Sequence, residues 1–186
     1  EKYNFDGVLH FAGLKAVGES CKKIGEYHEK KYRIRITRLY LEESYIYTIC
    51  LFEETEFIEL KISQERTKAV IGLIYMDNYE EAMESVEEVR RSLLEALIDR
   101  KINQYINSFG GIVKKLEKDK FFFIIQKQNL DSAIEARFDI LEDVKTVNIG
   151  NEMRITLSIG IGHGSEELSR NYELARMAMD MALGRG

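Results

Sequence analysis

The chain has 186 residues, enough for one large or two small domains with a core that needs no disulfide or metal staple. Its 27 basic and 32 acidic residues leave a formal charge of −5, which argues against nucleic acid as a partner, since backbone phosphates want a basic face. No run of about 18 apolar residues occurs, so no stretch of this sequence is expected to span or contact a membrane.

The sequence opens on Glu1 rather than Met and stops at Gly184-Arg185-Gly186, which reads as a piece of a longer polypeptide. Proline is absent, so glycine, asparagine and charged residues must mark every boundary. Cys21 and Cys50 lie far apart without metal-ligand spacing and read as free thiols of a reducing compartment. Leu14, Val17, Cys21 and Ile24 recur at helical spacing and predict a helix over residues 9–24. The period then changes to two. Tyr32, Ile34 and Ile36 share one face, Arg33, Arg35 and Thr37 the other, and a turn at 41–44 leads into a second strand over 45–52. Phe57, Ile58, Leu60 and Ile62 begin a connecting helix.

Residues 70–76, V-I-G-L-I-Y-M, form a nearly continuous apolar run, expected of a strand covered on both faces or central in a sheet. Asn78 with Glu81, and Ser85 with Glu88, have the spacing of capping boxes. A single long helix should follow, with Val86, Val89, Leu93, Leu97, Ile98, Ile102, Tyr105 and Ile106 on its apolar stripe. Gly110-Gly111 should end it. Residues 110–125 then read as a β-hairpin around the polar centre Glu117-Lys118-Asp119-Lys120. Ser132 with Glu135 suggests a helix burying Ile134, Phe138, Leu141 and Val144. Ile155, Leu157, Ile159 and Ile161 alternate with Thr156, Ser158 and Gly160, so one face of this strand should pack on helices and the other stay open. Leu174, Ala175, Ala178, Met181 and Ala182 mark the stripe of a final helix stopped by Gly184. The order β-α-β-β-α-β-α implies an α+β sheet with helices on one side, in a ferredoxin-like arrangement.

Two stretches carry a resemblance. Lys115-Leu116-Glu117-Lys118-Asp119-Lys120-Phe121 matches position by position the R-x-G-G-D-E-F signature of diguanylate cyclases, and M-R-I-T-L-S-I-G-I-G resembles the end of GGDEF domains. Tyr75-Met76-Asp77-Asn78-Tyr79-Glu80 falls on their D-x-D-x-F-K motif. The departures are chemical. Glu117 and Lys118 replace the loop glycines, whose lack of a Cβ lets backbone approach a nucleotide. Tyr75 and Lys120 replace two metal-binding carboxylates, and Glu80 replaces the phosphate-reaching lysine. An ammonium repels the divalent metal that a carboxylate would hold, so no catalytic residue and no metal ligand is assigned.

The run from Val70 to Tyr79, the altered hairpin, T-L-S-I-G-I-G-H-G and N-Y-E-L-A-R-M-A-M-D-M-A-L-G-R-G together resemble the modified GGDEF domain of the GdpP/YybT family of membrane-bound cyclic-di-AMP phosphodiesterases. Residues 1–66, closing on Cys50-Leu51-Phe52-Glu53-Glu54-Thr55-Glu56, resemble a partial or degenerate PAS sensor segment with its connecting helix, and residues 67–186 a degenerate GGDEF domain. The resemblance implies a cytoplasmic regulatory part of a membrane-anchored bacterial hydrolase. Its DHH/DHHA1 domain, with Mn, would be the partner of this chain, and no D-H-H motif occurs here. It also implies haem in the PAS-like segment, where His10, His28, Cys21, Cys50 and tyrosines are the candidate ligands, and ATP at the GGDEF-like face. Two alternatives stay open. One is a weak ATPase or nucleotide-binding module using Asp77, Asn78, Asp119 and Lys120. The other is a structural element that joins two copies into a homodimer.

Overall fold

A computed structural model describes residues 20–41 and 44–184. The chain divides into two compact units, residues 1–64 and 65–186. Among the described residues no helix is long and apolar enough to cross a membrane.

The first unit is an antiparallel meander of β1 (Ser20–Tyr27), β2 (Lys30–Leu41) and β3 (Ser44–Glu53). The alternation seen in the sequence sets its faces: Ile34 and Ile36 are fully buried, while Arg33 and Arg35 lie outside with their guanidinium groups 5.4 and 5.7 Å from the Phe52 ring. The helix expected over residues 9–24 is corrected where it can be seen. Ser20 to Ile24 belong to β1, paired residue by residue with β2, and Ile24 is 60% exposed rather than on a buried stripe. A few apolar residues broken by glycines gave too weak a period to outweigh the available ladder. Residues 9–19 lie outside the described residues. The connecting helix is present as α1 (Thr55–Thr67), and its first residue is tied down by the Lys31 amide, which donates to Thr55 Oγ1 at 3.0 Å.

The second unit is built on β4 (Ala69–Met76), the apolar run, which lies between two neighbours as its composition requires. The sheet order is β5 (Ile112–Lys115), β6 (Lys120–Gln126), β4, β7 (Leu157–Gly162), all antiparallel. Val70, Ile74 and Met76 face the main core with Ile98, Ile102 and Phe121; Ile71 and Leu73 face a second, smaller core with Ala175 and Met179. Helices therefore cover both faces of the sheet, not one. The face of β7 expected to stay open is covered by α6 (Leu168–Leu183). Gly160 and Gly162 permit it: a Cβ on Gly162 would stand 1.8 Å from the Asn171 carbonyl oxygen, and one on Gly160 would stand 2.4 Å from that of Ala175.

The single long helix is two helices, α2 (Tyr79–Glu84) and α3 (Glu88–Ser108). Neither capping box forms. The Asn78 side chain is engaged elsewhere, and Ser85 Oγ donates to the Ala82 carbonyl instead. With α3 starting at Glu88, its buried stripe is Leu94, Ile98, Ile102 and Ile106, leaving Val89 and Leu93 exposed. Its end is as expected: Gly110 takes φ +62°, its amide reaches the Asn107 carbonyl, and the Gly111 amide reaches that of Ile106. After the hairpin, α4 (Lys127–Glu135) already contains Ser132, so no cap forms there, and Leu130 and Ala133 are buried while Ile134 is exposed. Arg137 and Phe138 turn the chain through the left-handed region into α5 (Ile140–Asp143). In α6 the inner residues are Asn171, Ala175 and Met179, a stripe rotated from the expected one, with Met181 exposed.

Candidate functional site

The loop after β4 and the β5–β6 hairpin face each other across an open cleft of about 500 Å³. The hairpin loop is closed by the Leu116 amide donating to the Lys120 carbonyl at 2.8 Å, and it is joined to β4 by the Met76 amide donating to the Asp119 carbonyl at 2.9 Å. Asp77, Glu80 and Glu81 line one wall, Glu117, Asp119 and Lys120 the other. With Lys118, the lining holds five carboxylates and two ammonium groups, a field that repels phosphate unless a cation offsets it.

Of the four residues singled out for nucleotide contact, Asp77, Asp119 and Lys120 meet in this cleft and Asn78 does not. The Asn78 amide stitches the end of β4 to the approach of β7. Its Oδ1 accepts from the Thr156 amide at 3.0 Å and its Nδ2 donates to the Arg154 carbonyl at 2.8 Å. The Asp77 amide adds a bond to the Thr156 carbonyl at 3.0 Å.

Lys120 is directly opposite Tyr75 in the β4–β6 register. Its Nζ lies 5.6 Å from the centre of the Tyr75 ring and 2.6 Å from Glu117 Oε2. The hydrogen bond that Lys120 Nζ donates to Glu117 raises the Lys120 pKa and keeps the ammonium charged. Both positions that bind metal in the cyclase signature are thus occupied by one cation resting on one aromatic ring. Among the described residues no group of three or more His, Cys, Asp or Glu side chains is placed to hold a metal ion, and the residues at this site do not fit one.

Below the cleft, Lys115, which heads the hairpin motif, pairs with both Asp99 oxygens at 2.9 and 3.0 Å and lies 5.4 Å from the Phe121 ring. The Tyr79 hydroxyl donates to Glu95, and its pKa is raised well above the usual phenol range by burial first and by Glu95 second. Sequence reading missed these partners in α3, because a helix face reaches the hairpin only through tertiary packing. The Tyr75–Lys120 pairing was legible in principle from the strand register. Asn171 was also missed as an anchor. It is 1% exposed, takes the Ser165 amide on Oδ1 at 2.9 Å and donates from Nδ2 to the Ser165 carbonyl at 3.0 Å.

Of the histidine and cysteine candidates for haem, two have side chains among the described residues. His28 is exposed in the two-residue turn between β1 and β2, with its ring edge on Tyr27, and Cys50 is half-buried in β3. His10 and the Cys21 side chain lie outside the described residues.

The sheet order, the helices on both faces and the hairpin define the second unit as a GGDEF-type domain. A solved structure of the active GGEEF domain of a diguanylate cyclase from Vibrio cholerae superposes with a TM-score of 0.55 over 69% of this chain and 84% of its own, at 15% identity, which carries the fold alone. The family described as cyclic-di-AMP phosphodiesterase GdpP-like, GGDEF domain, matches residues 74–186, and the chain belongs to it. Similar proteins include a cyclic-di-AMP phosphodiesterase GdpP of Geobacillus thermodenitrificans, 30% identical over 91% of this chain and 25% of that protein. Another is the cyclic-di-AMP phosphodiesterase PdeA of Listeria monocytogenes, 29% identical over 73% of this chain and 21% of that protein. The chain thus spans about a quarter of the length of these relatives or less.

Proposed function

We propose that this chain is a regulatory segment of a membrane-anchored cyclic-di-AMP phosphodiesterase, lies on the cytoplasmic side, and has no diguanylate cyclase activity. The observation that carries the reading is the Lys120 ammonium over Tyr75, held by Glu117, at the two positions where a cyclase needs carboxylates. Two-metal phosphoryl transfer depends on acidic ligands that hold Mg²⁺ and offset developing charge, and here that charge is reversed. The partner would be a DHH-type hydrolase domain in the same polypeptide, as the GdpP/YybT resemblance implies.

A second reading, nucleotide binding with weak ATP hydrolysis, rests on Asp77, Asp119 and Lys120 sharing one cleft. Lys120 would meet phosphate there without a metal bridge, against the surrounding carboxylates, so weak affinity is expected.

The regulatory role is tested by measuring cyclic-di-AMP hydrolysis in the complete polypeptide with and without residues 1–186. A change in rate is expected when the segment is removed. Equal rates would overturn the proposal.

A further inference from the structure

The hairpin loop brings two of its own side chains together inside the cleft. Glu117 and Lys120 flank the pair Lys118-Asp119 at the tip, with the Glu117 amide donating to the Lys120 carbonyl at 3.3 Å. Lys120 Nζ then donates to Glu117 Oε2 at 2.6 Å. Of the five carboxylates that line the cleft, only Glu117 forms an ion pair with Lys120 among the described residues. A carboxylate oxygen at that distance stands where a phosphate oxygen would bind the ammonium, and it carries the same sign of charge. In the cyclase signature the residue at this position is glycine, which has no side chain to reach that place. The Glu117 side chain is 61% exposed, and so exposed a pair contributes little to stability and opens readily.

We infer that Glu117 is an autoinhibitory side chain: it occupies the anion seat on Lys120, and a phosphate-bearing ligand enters the cleft only by displacing it. The inference deepens the nucleotide-binding reading and rests on it. Displacement leaves the rest of the site in place. The strand register still sets Lys120 opposite Tyr75, with the ammonium 5.6 Å from the ring centre, while Glu117 turns toward solvent. Asp77, Glu80, Glu81 and Asp119 oppose phosphate through their charge alone. Glu117 opposes it through its charge and by holding the contact itself.

The test is titration calorimetry of the 186-residue chain in EDTA with two probes, inorganic pyrophosphate for the anion seat and ATP for the nucleotide reading. Glu117→Gln keeps the shape of the side chain and removes its charge, and at so exposed a position it is expected to fold normally. It should bind pyrophosphate about fivefold more tightly than the unsubstituted chain, the upper range for an exposed ion pair that no longer has to open. Glu81→Gln removes a cleft carboxylate that forms no ion pair with Lys120 and should gain about twofold or less. Adding Lys120→Ala to Glu117→Gln should abolish the gain. A gain for pyrophosphate with no binding of ATP would sustain the anion seat and reject the nucleotide reading. ATP binding with affinity for both probes unchanged in Glu117→Gln would sustain that reading and overturn the inference. Equal gains from Glu117→Gln and Glu81→Gln would also overturn it, as would a gain that survives Lys120→Ala or no pyrophosphate binding by any of these chains.

Discussion

Tyr75 and Lys120 are cross-strand neighbours in the β4–β6 ladder, and the ammonium of one rests 5.6 Å from the ring centre of the other. In the cyclase signature these positions carry the carboxylates that hold metal. Here the same backbone geometry brings together a cation and the aromatic face that attracts it. Glu117, three residues before Lys120, closes the arrangement at 2.6 Å. The frame is that of a GGDEF-type domain, with a cation fixed to the chain at one of these two positions.

That exchange predicts how nucleotide would bind. If ATP or GTP enters the cleft, phosphate meets Lys120 directly, and titration calorimetry should detect weak binding in EDTA. Lys120→Ala should weaken it on the order of tenfold or more, as expected for loss of a charge-assisted contact. Binding that requires Mg²⁺, or that survives Lys120→Ala unchanged, would place nucleotide elsewhere or assign the cleft to structure alone.

Asn171 supplies a stability test away from the cleft. Its side chain satisfies both backbone groups of Ser165 from a position that is 1% exposed, and it lies where α6 crosses β7. Asn171→Ala leaves those groups without partners, and denaturant unfolding should show a loss of about 1–3 kcal/mol. An unchanged midpoint would show that water replaces the amide freely.

Much of this is legible in the sequence, and the departures have physical reasons. The apolar run of β4, the β2–β3 pair, the helix stop at Gly110 and the hairpin each carry a strong local signal, and each forms where expected. The capping boxes did not form because Asn78 had a better use. Two bonds to the strand approach at 154–156 outweigh one to its own helix, and nothing local in the sequence announces a partner 78 residues away. The final helix forms as expected, but its seat on β7 is not legible locally, where Gly160 looks like a small residue on an open face. Its role is to let the backbone of α6 come close. In the cleft, Asp77, Asp119 and Lys120 were found by motif position alone, whereas the ring beneath Lys120 required the strand register.

Tyr105 predicts an alkaline transition. Its hydroxyl is buried without a hydrogen-bond partner among the described residues, and burial pushes its pKa up to about 12. The unfolded chain releases this proton near pH 10, before the folded one does, so stability falls as pH rises from about 10 toward 12. Tyr105→Phe should lessen that fall and leave stability at pH 7 equal or higher, since it removes an unsatisfied polar atom. Thermal unfolding at pH 7 and pH 11 checks both signs. A marked loss at pH 7 would mean that the hydroxyl has a partner in solution.

The GGDEF-type frame carries Tyr75 and Lys120 at its metal positions, and the proposed loss of cyclase activity follows from that exchange. Incubating the chain with GTP and either Mg²⁺ or Mn²⁺, and separating the nucleotides by chromatography, tests it most directly. No cyclic-di-GMP is expected at any protein concentration, because Lys120 and Tyr75 stand where two carboxylates would be needed. Cyclic product accumulating beyond one equivalent per chain would contradict it.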